Sequence, residues 1–174
     1  MLSKIIWLGM VILVACTSSP NTTSEEIMGM EDTLRAYSAG DIAADTVTID
    51  YSIGDSFSGE THLQLQGNGD YELWSTAISG RQRKEYSGSI EAAQVETLVQ
   101  SMIENQIWQV SHVRDKPSED DPLAIIRVTV NDNSSEVQLW ISEIRSVLAF
   151  DTVQNEILTL IRAMSNDEIL ESGR

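Results

Sequence analysis

This chain is poor in the side chains that carry covalent and metal chemistry. It has one cysteine, Cys16, and two histidines, His62 and His112, in 174 residues. A single cysteine excludes an intramolecular disulfide and a zinc site built on several thiolates. Positive charge is scarce as well. Only 11 Lys and Arg stand against 27 Asp and Glu, a formal net charge of −16. Nucleic-acid binding neutralises phosphates with Lys and Arg, so this balance argues against it. It argues equally against a folded domain lying flat on anionic headgroups. Solubility in an aqueous compartment is the plain consequence, and an acidic face that meets a basic partner is the sharper one. Long apolar runs are missing too: residues 5–14 form a stretch of ten, too short for a stable membrane-spanning helix. There is no Gly-x-Ser-x-Gly elbow, no Gly-x-x-x-x-Gly-Lys phosphate loop and no His-Glu-x-x-His run. No motif calls for a cofactor, a metal or a catalytic residue.

What is present begins at the N-terminus. Lys4 gives a positive start, residues 5–14 an apolar core, and Leu13-Val14-Ala15-Cys16 closes it. This is the layout of a secretory signal. Its end resembles the lipobox of bacterial lipoproteins: a branched residue, a tolerant position, a small residue, then cysteine. The resemblance implies that residues 1–15 are removed and that the Cys16 sulfur carries diacylglycerol, often with a third chain on the new amino group. Buried acyl chains contribute about 0.8 kcal/mol per methylene, and one chain alone gives only reversible attachment. Two or three make it effectively permanent. Thioether formation also removes the liability of an unpaired thiol in an oxidising compartment. Removal of 15 residues leaves 159, and the loss of Lys4 takes the net charge from −16 to −17. Residues 17–24 are small and polar and read as a flexible tether. Thr17 is not the aspartate that resembles an inner-membrane retention signal in enteric bacteria. A bacterial cell envelope is therefore expected, with the periplasmic face of the outer membrane favoured if the organism is Gram-negative.

Residues 16–44 are expected to hold the lipidated cysteine, the tether and one short helix, with a single α+β domain over 45–174. The helix is read from Ile27, Met30, Leu34 and Tyr37, after a Thr23/Glu26 capping pattern. Two fates for it stay open: packing on the domain, or a partly ordered stalk. Val47, Ile49 and Tyr51 alternate as in a half-buried strand, and so do Leu63 and Leu65. Gly67-Asn68-Gly69-Asp70 is a hairpin signal, with Tyr71 and Leu73 on the returning strand. A further strand over 84–87 is less marked. Ser89 is the expected N-cap of a helix carrying Val95, Leu98, Val99, Met102 and Ile103, with Ile107 and Trp108 tucked beneath. Residues 124–130 are β-branched, 131–135 form a turn, and Val137, Leu139 and Ile141 alternate. Asp151 or Thr152 caps a last helix with Val153, Ile157, Leu160, Ile161 and Met164. The expected fold is an antiparallel sheet with two helices on one face, in the order β-β-β-α-β-β-α. The glycine-rich hairpin, Ile107-Trp108, the acidic-proline turn and the β-branched strand resemble small bacterial lipoproteins that carry one domain of unknown function. That resemblance bears on the fold and assigns no activity.

Candidate binding residues are few. Trp74 and Trp140 lie opposite the apolar alternation of their strands, so both are expected on the uncovered sheet face. Exposed there, they suit a carbohydrate ring or a protein side chain; packing under the N-terminal segment is the competing reading. Arg81, Arg83 and Lys84 are a basic knot that either grips an acidic group or guards a strand edge. Glu119, Asp120 and Asp121 read as a solvated loop, since consecutive carboxylates lack the alternating spacing of a calcium loop. His62 and His112 read as structural or surface residues; a hydrolase would need one of them beside a serine and a carboxylate. The functional expectation is a non-enzymatic lipoprotein that binds or scaffolds an envelope protein or glycan. The alternatives are an inhibitor or ligand-binding module and, third, an envelope hydrolase.

Overall fold

The computed structural model describes residues 24–55, 59–76, 83–111 and 121–169. The chain is α+β, a six-stranded antiparallel sheet with three α-helices. In chain order these are α1 (Ser24–Ser38), β1 (Val47–Asp55), β2 (Gly59–Gln66), β3 (Asp70–Thr76), β4 (Arg83–Ser89), α2 (Ala92–Glu104), β5 (Leu123–Val130), β6 (Asn133–Trp140) and α3 (Leu148–Ser165). The strands lie side by side as β4-β3-β2-β1-β5-β6. This corrects the expected order at two points: β4 is a full strand, and the N-terminal helix is an integral third helix.

Period-two alternation gives the sheet one apolar face. Val47, Ile49 and Tyr51 of β1 pair with Val130, Val128 and Ile126 of β5, and Leu63 of β2 pairs with Leu73 of β3. All are buried, and the helices lie over them. The stripe of α2 is the expected one, Val95, Leu98, Val99, Met102 and Ile103, all buried. Its cap is Glu91 rather than Ser89, in a reciprocal capping box with Gln94. Gln106 then turns left-handed (φ 47°), which drives Ile107 and Trp108 inward. On α3 the first turn begins at Leu148, ahead of the expected Asp151 or Thr152 cap. Gln154 of α3 donates a 2.9 Å hydrogen bond to the buried Tyr51 hydroxyl, locking helix to sheet.

The first helix packs. Met30, Leu34 and Tyr37 are buried in the same core, so the core begins ahead of Asp45. The Tyr37 hydroxyl donates to the Gly67 carbonyl at 2.9 Å, on the β2–β3 hairpin. Glycine is required there, because a Cβ at 67 would meet the Ala44 carbonyl oxygen at 2.4 Å. Among the described residues, no helix is long and apolar enough to cross a membrane. Thr23 lies outside the described residues.

Candidate functional site

The strand residues that alternate with the core face point the other way, and no described helix covers them. Strand register orders this open face into rows. One row runs Gln138, Ile125, Ser52, His62, Trp74 and Glu85, from β6 to β4. The next places Trp140 of β6 opposite Leu123 and then Gly54 of β1. Both tryptophans are thus on the open face and half-buried, and α1 lies on the opposite side of the sheet. They are not a contact pair. Four strand spacings separate β3 from β6, roughly 19 Å at ~4.8 Å each. Between them β1 offers only Ser52 and Gly54, so the tryptophans flank a shallow trough floored by Ser52, Leu123 and Ile125.

At one wall of the trough, three strands build a stacked group. His62 of β2 lies on the Trp74 ring, with centroids 3.9 Å apart and planes 16° from parallel. The Arg83 guanidinium of β4 sits over the same ring, 4.4 Å from its centroid. Two groups that each close over one ring take opposite faces of it, so Trp74 offers a partner its edge rather than an open face. A carbohydrate ring stacked flat on Trp74 does not fit this arrangement. Charges bracket the stack: His62 Nε2 is 3.5 Å from Glu60 Oε2, and Arg83 Nε is 2.6 Å from Glu85 Oε1. Burial holds the His62 imidazole below its ordinary pKa of 6.5; Glu60 opposes this and Arg83 reinforces it. Farther along the face, Gln64 donates to Asp50 at 3.0 Å, and Arg127 pairs with Glu136 through Nε at 2.8 Å. The face carries both signs, with Arg83 and Arg127 set among Asp50, Glu60, Glu85 and Glu136.

The basic knot is divided by the sheet. Arg83 belongs to the open face, whereas Lys84 points to the helix side and reaches Glu168 Oε2 at 3.2 Å. The Tyr86 hydroxyl donates to the same oxygen at 2.9 Å, so β4 is clasped to the chain that leaves α3. Arg81, His112, Glu119 and Asp120 lie outside the described residues. Asp121 accepts a hydrogen bond from Ser142 Oγ at 2.5 Å. No group of three or more His, Cys, Asp and Glu among the described residues is arranged to hold a metal ion. Ser52 stands beside His62 in the register, and Glu60 is near its ring, but no hydrogen bond joins Ser52 to His62. The histidine's ring is engaged with Trp74 instead. Sequence reasoning missed the stack itself. Its signal was the shared parity of His62, Trp74 and Arg83, usable only once β2, β3 and β4 are known to be neighbours. No protein-family model matches the chain, and no curated protein does either.

Proposed function

We propose that this chain is a lipid-anchored binding protein of a bacterial envelope, held in the membrane through Cys16 and docking an envelope protein on its open sheet face. The observation that carries the reading is the His62–Trp74–Arg83 stack on a face that no described helix covers. Trp and Arg are the side chains that most often dominate binding energy at protein interfaces. Here both are held in place by their neighbours before a partner arrives, which lowers the entropy lost on binding. The small residues of β1 leave a trough beside them, wide enough at roughly 19 Å between its tryptophan walls to take a helix of ~10–12 Å diameter. A protein segment fits better than a glycan because the Trp74 ring faces are already engaged.

The test is a pair of measurements in the native envelope. A photo-crosslinker at Gln64, exposed on the open face, should yield a discrete adduct, while one at Gln100, exposed on α2, should not. The adduct should disappear when Trp74→Ala is introduced into the Gln64 protein. Adducts of equal yield from both positions would overturn the choice of face. Cys16→Ser should release the protein from the membrane fraction; retention would overturn the anchor.

A further inference from the structure

A second concavity lies on the opposite side of the sheet, and nothing in the docking reading uses it. Where β1 and β2 approach the middle of α3, the core leaves a cavity of about 310 Å³. That volume falls at the small end of the range for ligand sites. Its apolar lining is Ile53, Ile141, Ile144, Leu158, Ile161 and Ile169. Three of these, Ile53, Ile141 and Leu158, are only partly covered, so apolar surface faces the space. The polar lining is Thr61, Ser142, Gln154 and Asn155 with three charged side chains, Arg145, Arg162 and Asp151. Two cations and one anion make this lining net positive on a chain of net charge −16.

Arg145 sets the cavity apart. Arg35, Arg83, Lys84 and Arg127 each pair with a carboxylate, and Arg162 is engaged by a neighbour. Among the described residues, Arg145 is the one cation with no hydrogen bond or ion pair. On a chain with more than twice as many acids as bases, a guanidinium left unpaired beside an apolar space is a fork without its carboxylate. We infer that this cavity binds a small amphipathic carboxylate, with its alkyl tail on Ile53, Leu158 and Ile161 and its carboxylate on Arg145. Asp151 at the same lining disfavours a dianion, which makes a singly charged headgroup the better fit.

The test uses radiolabelled hexanoate and equilibrium dialysis against the full lipidated chain in nanodiscs, with empty nanodiscs as the blank. Hexanoate should bind saturably, hexanol should compete weakly and hexylamine not at all. Arg145→Gln, at an exposed position, should weaken hexanoate by about tenfold or more, the loss expected for one charge-assisted contact. Leu158→Trp, which fills the space, should abolish binding while urea unfolding shows the domain intact. A second filling variant, Ile53→Phe, serves if that one fails to fold. Hexylamine competing as well as unlabelled hexanoate, or Arg145→Gln binding as the parent does, would overturn the carboxylate. Absence of saturable hexanoate binding to the folded parent would overturn the site.

Discussion

His62 has the Glu60 carboxylate beside it and the Arg83 guanidinium across the Trp74 ring, and its partly buried setting is expected to make folding sensitive to mild acid. Its pKa in the folded chain lies below the ordinary 6.5, first because the ring is partly buried and then because Arg83 is near. Above that ordinary value the imidazole is neutral in both the folded and the unfolded chain, so the full stability is present. As pH falls through 6.5 the unfolded chain takes up the proton first, and stability declines until pH passes the lower, folded-state value. Glu168 does not blur this window. Its carboxyl is held below its ordinary 4.5 by the Tyr86 hydroxyl and then by Lys84, so its contribution is lost only in stronger acid. The urea midpoint should therefore drop between pH 7.5 and pH 5.5, and His62→Phe, which keeps an aromatic ring over Trp74, should drop less. An identical drop in both proteins would mean that another group titrates there.

At the level of elements, α1 tests how far the folded unit extends. Leu34 is fully buried and Tyr37 nearly so, with its hydroxyl on the Gly67 carbonyl. Leu34→Ala should cost about 2–5 kcal/mol in urea unfolding, the range for a buried leucine. Tyr37→Phe should cost about 0.5–1.5 kcal/mol for the lost hydrogen bond. Changes near zero in both would make α1 an appendage. The sequence could not decide between packing and a stalk, because the partner of Tyr37 lies 30 residues away. Elements whose pattern is local were legible: the alternation of β1 and β2, the Gly-Asn-Gly hairpin, the stripes of α2 and α3. β4 was faint because, as an edge strand, it has only Tyr86 half-covered among exposed residues. The start of α3 was hidden because its first residue, Leu148, is 75% exposed and belongs to no stripe. For the site, parity gave the correct face for Trp74 and Trp140. Their separation and the stack on Trp74 depend on strand order, which no local pattern encodes.

Across the whole molecule, the packing of α1 changes what a Cys16 anchor would do. If the helix is part of the folded unit from Ser24, residues 17–23 are the only connection, and seven residues span at most ~25 Å. A lipidated chain would then hold its folded domain close to the bilayer, within reach of partners that are themselves membrane-bound. So acidic a domain, held so near, would be kept from collapsing onto an anionic leaflet by repulsion. The same excess charge acts within the fold. Its attractive pairs are short: Arg83–Glu85 is 2.6 Å, Arg35–Glu31 2.8 Å and Lys84–Glu168 3.2 Å. All lie well inside a Debye length of about 8 Å at physiological salt, and exposed pairs of this kind are worth only ~0–1 kcal/mol each. Repulsions among the unpaired carboxylates act over longer distances, where screening is strongest. Salt should therefore remove more repulsion than attraction. The urea midpoint is expected to rise as NaCl goes from 20 to 300 mM and then level off. A fall over that range would show that the ion pairs, including the Glu168 clasp, outweigh the net charge of the chain.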